Sequence, residues 1–200
     1  MRTRIIGALA LVFGLAVPVQ AQIAWDSPLL VPPRADDGFG LFLTDPQGGS
    51  LGFLGTWRPS AAPPRLQFRL GLAEETAFAD DLAVYGGVDG SSLITRATDE
   101  FPLDVAWAAG VGISVGDIVN VAFPFGLVLG RTFTDGDASF TPYVSPRVVL
   151  DAIFDHPVAD DDLDLDLAVD LGLDLGLGGW LIRFGGTVGD REALAIGIVF

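Results

Sequence analysis

From Asp162 to Leu177 the chain alternates without a break. Leu163, Leu165, Leu167, Val169, Leu171, Leu173, Leu175 and Leu177 take one parity, and Asp162, Asp164, Asp166, Ala168, Asp170, Gly172, Asp174 and Gly176 take the other. Successive side chains of a strand point to opposite faces, so this period of two predicts a β-strand with an aliphatic face and an acidic one. A helix would spread the carboxylates around its circumference. The stretch is longer than the ~5–6 residues of an average soluble strand and suffices to cross a bilayer at a tilt, which takes ~9–11.

The same alternation recurs along the chain. Strands are predicted over 38–45, 50–58, 65–74, 82–89, 103–115, 119–131, 139–153, 162–177, 180–188 and 192–200. Over 103–115 the outward set is Leu103, Val105, Trp107, Ala109, Val111, Ile113 and Val115. Over 119–131 it is Val119, Val121, Phe123, Phe125, Leu127 and Leu129. Pro124 cannot donate to a ladder and predicts a bulge. Gly178-Gly179 is a two-residue hairpin turn. It sets Leu175 against Ile182 on the outer face and Asp174 against Arg183 on the inner one. Residues 90–102 are the longest predicted connection, and 22–37, with Pro28, Pro32 and Pro33, read as an irregular lead-in, either a tail or an inward plug.

Ten antiparallel strands with apolar outer faces predict an all-β transmembrane barrel over 38–200, with eight strands as the alternative if 38–45, 50–58 or 82–89 stay out of the wall. Its inner face gathers Arg65, Arg69, Arg147 and Arg183 with Asp104, Asp151, Asp164, Asp166, Asp170 and Asp174. Charges at membrane depth belong in the lumen and pair there. The expectation is a charge-paired filling that closes a narrow barrel, with a narrow pore as the alternative because many inner positions are Gly, Ala or Ser.

Composition adds an address. Arg2 and Arg4, the apolar run Ile5 to Val17 and the small-residue pattern Val19-Gln20-Ala21 predict a cleaved signal peptide over 1–21. Mean hydropathy is +0.49 although the apolar residues are dispersed in alternation. There is no cysteine, hence no disulfide and no thiolate chemistry. The formal charge of −15 argues against nucleic acid as a partner.

The signal segment, the amphipathic strands and the terminal pattern Leu194, Ile196, Ile198 and Phe200 together resemble small bacterial outer-membrane β-barrel proteins. In that group a C-terminal aromatic preceded by alternating apolar residues is read by the barrel-assembly machinery. The resemblance implies export to the outer membrane of a Gram-negative-type bacterium. It also implies two partners, outer-membrane lipid and, during biogenesis, the assembly machinery. Its members range from structural barrels and channels to enzymes, and no oligomeric state follows from it.

Candidate chemistry is sparse. His156, the sole histidine, follows Asp155 in an acidic loop. Omptin-like barrel proteases use a His–Asp pair and carboxylates at the rim, so a rim hydrolase or acyltransferase using His156 is the enzymatic alternative. A lone motif without a second acidic pair reads as a solvated loop, and no enzyme is expected. Asp160-Asp161-Asp162 matches no calcium-loop spacing, so neither metal nor cofactor is expected. Trp57, Trp107 and Trp180 suit an interfacial belt. A secreted soluble β-domain is the remaining alternative and would have to bury the outer aliphatic faces against a second sheet.

Overall fold

A computed structural model describes residues 23–75, 81–116, 118–154 and 162–200. The predicted signal segment and the His156 loop lie outside the described residues. The strands are β1 (Gly38–Asp45), β2 (Gly49–Arg58), β3 (Arg65–Glu75), β4 (Asp81–Thr95), β5 (Asp104–Val115), β6 (Val119–Gly130), β7 (Phe133–Asp135), β8 (Ala138–Phe154), β9 (Asp162–Leu177), β10 (Trp180–Gly189) and β11 (Ala193–Val199). Each long strand pairs antiparallel with the next. The short β7 folds back on β8, β6 pairs past it with β8, and β1 pairs with β11 to close the ring. The result is a closed barrel of ten strands with β7 as an added three-residue strip.

Closure shows in the stagger. Straight across the ladders from Leu41, mid-strand in β1, the path meets Gly55, Leu70, Gly86, Ile113, Val121 and Ala152. It then reaches Leu163, next to the start of β9. Such a displacement accompanies strands tilted by about 35–45° to a barrel axis. The β9–β10 register is the one the Gly178-Gly179 turn predicts, with Leu175 opposite Ile182 and Asp174 opposite Arg183.

Two expectations are corrected. β4 runs on through Thr95, so the connection to β5 is 96–103 and residues 90–95 of the expected 90–102 loop are strand. Pro124 makes no bulge. The ladder to β5 lapses between the pairs Ala109–Phe125 and Gly112–Ala122 but resumes in the same register, while Pro124 stays opposite Val149 of β8. The missing N–H is absorbed as a local gap. Register shifts occur instead between Gly49 and Gly52 and between Leu93 and Thr95.

The two faces are inverted relative to a water-soluble domain. Outward aliphatics are open, reaching 68% for Leu70 and 69% for Leu163, whereas Arg147, Asp170, Asp174 and Arg183 are buried inside. Glycines on inner positions make room for large neighbours. The Tyr143 ring lies over Gly172, Tyr85 over Gly71, and Phe42 against Gly197. A methyl at Gly172 would collide with the Tyr143 ring. Gly172→Ala is expected to cost about 1–3 kcal/mol in unfolding free energy, typical of overpacking in a filled interior. Denaturant titration of the folded barrel checks it.

The lead-in is an inward plug. All residues from 23 to 35 except Arg34 are buried. Call the mouth where β1 begins and β11 ends the near mouth, and the other, with turns 46–48 and 190–192, the far mouth. Ile23 lies by Gly49 at the far mouth, Trp25 by Gly87, Gly110 and Gly112, Leu30 by Gly185, and Pro33 by Gly130 toward the near mouth. The segment thus threads the lumen from far to near before turning into β1. It also supplies the centre of both buried apolar clusters. Ile23, Trp25 and Leu30 pack with Phe42, Leu54 and Tyr85, while Leu29 and Val31 pack with Ala106, Ala108, Val128 and Tyr143. Eight strands leave a lumen that side chains alone can fill; ten leave room for this additional strand of chain.

Candidate functional site: a plugged and charge-paired lumen

In the far half the plug is tied to the wall through Asp26, which is fully buried. Its two carboxylate oxygens take Nη1 of Arg147 and Nη1 of Arg191, the second at 2.7 Å. Arg147, on β8, also donates Nε and Nη2 to Asp170 of β9 at 2.7 and 3.2 Å, and Nη2 to Ser27 Oγ at 2.9 Å. Arg191, in the β10–β11 turn, reaches back into the lumen. Its Nε donates to Asp166 at 2.9 Å and its Nη2 to Asp151. Asn120 donates to Asp151 at 2.9 Å and Thr187 to Asp170 at 2.6 Å. Burial works against the Arg191 cation, but Asp26, Asp151 and Asp166 outweigh it and raise its pKa above the ordinary arginine value.

The near half is built from arginines on the inner parity of β2, β3 and β10. Arg183 forms a two-point pair with Asp174, Nε to Oδ1 and Nη2 to Oδ2, both at 2.7 Å. Its remaining Nη1 donates to the Leu30 carbonyl of the plug at 3.0 Å. Arg69 donates to the Pro28 carbonyl at 2.7 Å and lies 5.7 Å from the Trp25 ring centroid. Trp25 itself donates Nε1 to the Ala122 carbonyl at 3.2 Å. Where the plug leaves the lumen, Arg34 pairs with Asp104 at 2.6 Å. Arg58 donates to Gln67 at 2.9 Å, and Gln67 donates to Asp89 at 3.2 Å.

Most of the expected inner charges meet. Arg147 finds Asp170 and Arg183 finds Asp174 directly. Asp151 and Asp166 are joined through Arg191, and Asp104 through Arg34. Three do not pair as expected. Among the described residues Arg65 and Arg69 have no carboxylate partner, and Asp164 accepts only the backbone N–H of Leu165. Arg69 is drawn off by the plug, and Asp164 sits near the far rim, half-exposed.

Sequence reasoning missed Asp26, Arg34, Arg58, Asp89 and Arg191. Arg58 and Asp89 fall on the inner parity at the ends of the predicted strands 50–58 and 82–89, a signal the alternation already carries. Asp26, Arg34 and Arg191 lie outside any alternating stretch and carry no such signal.

The terminal residues complete the outer face. Leu194, Ile196 and Ile198 are exposed. Phe200 exchanges backbone hydrogen bonds of 2.8 Å with Phe39 and packs against Trp180 with ring centroids 6.0 Å apart. Chemically, the lumen is an arrangement of mutual neutralisation. The forks of Arg147, Arg183 and Arg191 are taken up by carboxylates and by groups of the plug, which fixes the segment inside the wall. No model of a known protein family matches the sequence, and no curated protein matches it either.

Proposed function

We propose that the protein is an outer-membrane β-barrel with a structural or narrow-channel role, without enzymatic activity, whose lumen is closed by its own segment 23–35. The observation that carries this reading is the inverted surface. Leu, Ile, Val and Phe side chains cover the outside all round the wall while the charges are inside. Exposed apolar patches on soluble monomers rarely exceed a few hundred Å², so a continuous apolar cylinder calls for hydrocarbon as its solvent.

Aromatic rings gather at the near mouth. Phe39, Trp57 and Phe68 form a row with centroids 6.0 and 5.6 Å apart, Trp180 meets Phe200, and Phe133 meets Phe140. Amphipathic indole rings favour the headgroup level, so Trp57 and Trp180 within this group support one bilayer boundary at the near mouth. The outer-membrane address rests on the resemblance carried by Leu194, Ile196, Ile198 and Phe200 together with the signal-like start.

Two measurements test the proposal. Fractionated cells should hold the protein in outer-membrane vesicles, with a folded band that shifts on boiling in detergent. Planar bilayers containing the wild type should show little or no conductance at about 100 mV. Recovery as a soluble periplasmic protein would remove the membrane reading. A large steady conductance would remove the closed lumen.

A further inference from the structure

The charges in the lumen are divided unevenly between its two halves. In the far half four buried or half-buried aspartates, Asp26, Asp151, Asp166 and Asp170, surround two arginines, Arg147 and Arg191. In the near half the imbalance reverses. Arg34, Arg58, Arg65, Arg69 and Arg183 meet Asp89, Asp104 and Asp174. Asp174 is taken by Arg183 and Asp104 by Arg34. That leaves Asp89 as the acid for Arg58, Arg65 and Arg69, and it forms an ion pair with none of them.

These three arginines are also short of hydrogen bonds. Arg58 is 4% exposed, gives Nη2 to Gln67, and has a buried Nε without a partner among the described residues. Arg65 has both Nε and Nη1 buried and unpartnered, and Arg69 likewise. A desolvated cation without a counter-charge is costly, and the cost is relieved by an anion that accepts from the guanidinium. A recess of about 240 Å³ lies beside one of the three, Arg58. It is lined by Arg58, by Arg34 and Arg183, which are paired with Asp104 and with Asp174, by Asp174 itself, and by Gln67, Thr56 and Ser139 as neutral hydrogen-bonding groups. Asp36 and Asp37 sit at its lip and are exposed to solvent.

We propose that the near-mouth recess is a binding site for a small oxyanion, a carboxylate or phosphate group, held by Arg58 with Gln67 and Thr56. The planar fork of a guanidinium matches the two oxygens of either group, which a point-charge ammonium does not. The recess is of a size for one such group and opens beside the aromatic ring of the near mouth, where a phosphate can arrive either free in water or on a lipid headgroup. The site goes beyond the barrel reading and does not depend on it. Binding is measured in detergent solution, so it fails or holds independently of conductance and of cellular address.

The test uses the full folded chain. Inorganic phosphate and acetate are titrated at constant ionic strength against sodium chloride, with the thermal midpoint and calorimetric heat as readouts, and dihexanoyl phosphatidic acid forms a separate arm. The wild type is expected to show saturable binding and a rising midpoint. Arg58→Met keeps the volume and removes the unpaired cation. It is expected to fold with a midpoint equal to or above that of the wild type in phosphate-free buffer, and to bind at least tenfold more weakly. Arg58→Lys is expected to fall between the two.

Competition between phosphatidic acid and phosphate would place the same recess at a headgroup, and a response to phosphate alone would make the free ion its occupant. No saturable response to any of the three anions overturns the site, as does an unchanged affinity in Arg58→Met.

Discussion

Trp25→Ala is expected to cost about 3–5 kcal/mol of unfolding free energy and to convert a closed barrel into a conducting one. The indole is 1% exposed, and a large aromatic removed from a filled interior costs that much through lost transfer energy and the cavity left behind. It seats on Gly87, Gly110 and Gly112, three wall positions where any side chain would occupy its space. It also loses the hydrogen bond to Ala122 and the stacking of Arg69.

The wall is spared, because no ladder runs through residue 25. The neighbouring anchor behaves in the same way. When Asp26 lets go, Arg147 keeps Asp170, and Arg191 keeps Asp151 and Asp166. Plug and wall are therefore separable, and Trp25→Ala combined with Asp26→Ala should conduct more than either alone. Planar-bilayer recording with chemical denaturation checks both effects. A barrel that stays closed at wild-type stability would mean that the indole does not hold the segment in place.

Asp174→Ala and Arg183→Ala are each expected to destabilise by about 3–5 kcal/mol, with the double variant recovering part of the loss. Both side chains are about 5% exposed and joined by two hydrogen bonds of 2.7 Å. Breaking a buried pair leaves one uncompensated charge, whereas removing both leaves none. Arg183 alone would keep only the Leu30 carbonyl, and Asp174 alone would be left beside the Tyr143 ring. A double-mutant cycle on unfolding free energies measures the coupling. Single losses below about 1 kcal/mol that add in the double variant would mean a solvated pair, as on an open surface.

The Asp174–Arg183 pair was legible in the sequence for a definite reason. Alternation gives each strand its faces, a two-residue glycine turn sets the register, and together they choose the cross-strand partner. The same logic finds the strands with strong alternation, including β5, β6, β8 and β9. It falls short at β4, predicted over 82–89 and found over Asp81–Thr95, where Gly90, Ser91 and Ser92 blur the period. It fails again for the plug. Residues 23–35 have no period of their own, and their prolines say only that they are irregular. Their partners lie 41 to 165 residues away, from Pro28 and Arg69 to Asp26 and Arg191, so nothing local encodes the choice.

The anchors of the plug also set an order on folding. Asp26 is held from β8 and from the β10–β11 turn, and Leu30 from β10, across sequence separations of 121, 165 and 153 residues. Contacts so distant along the chain form late, because the loop-closure entropy is met before they reward it. The partners Arg183 and Arg191 lie on β10 and in the turn that leads into β11, the strand that meets β1 at the seam. A chain lacking β10 and β11 could pair β1 through β9 and hold the plug from Arg69, Ala122 and Arg147, but without the ties from Arg183 and Arg191. Sealing therefore acts as a completion signal: only an intact wall ties the plug at every anchor, and an unfinished barrel is expected to remain leaky.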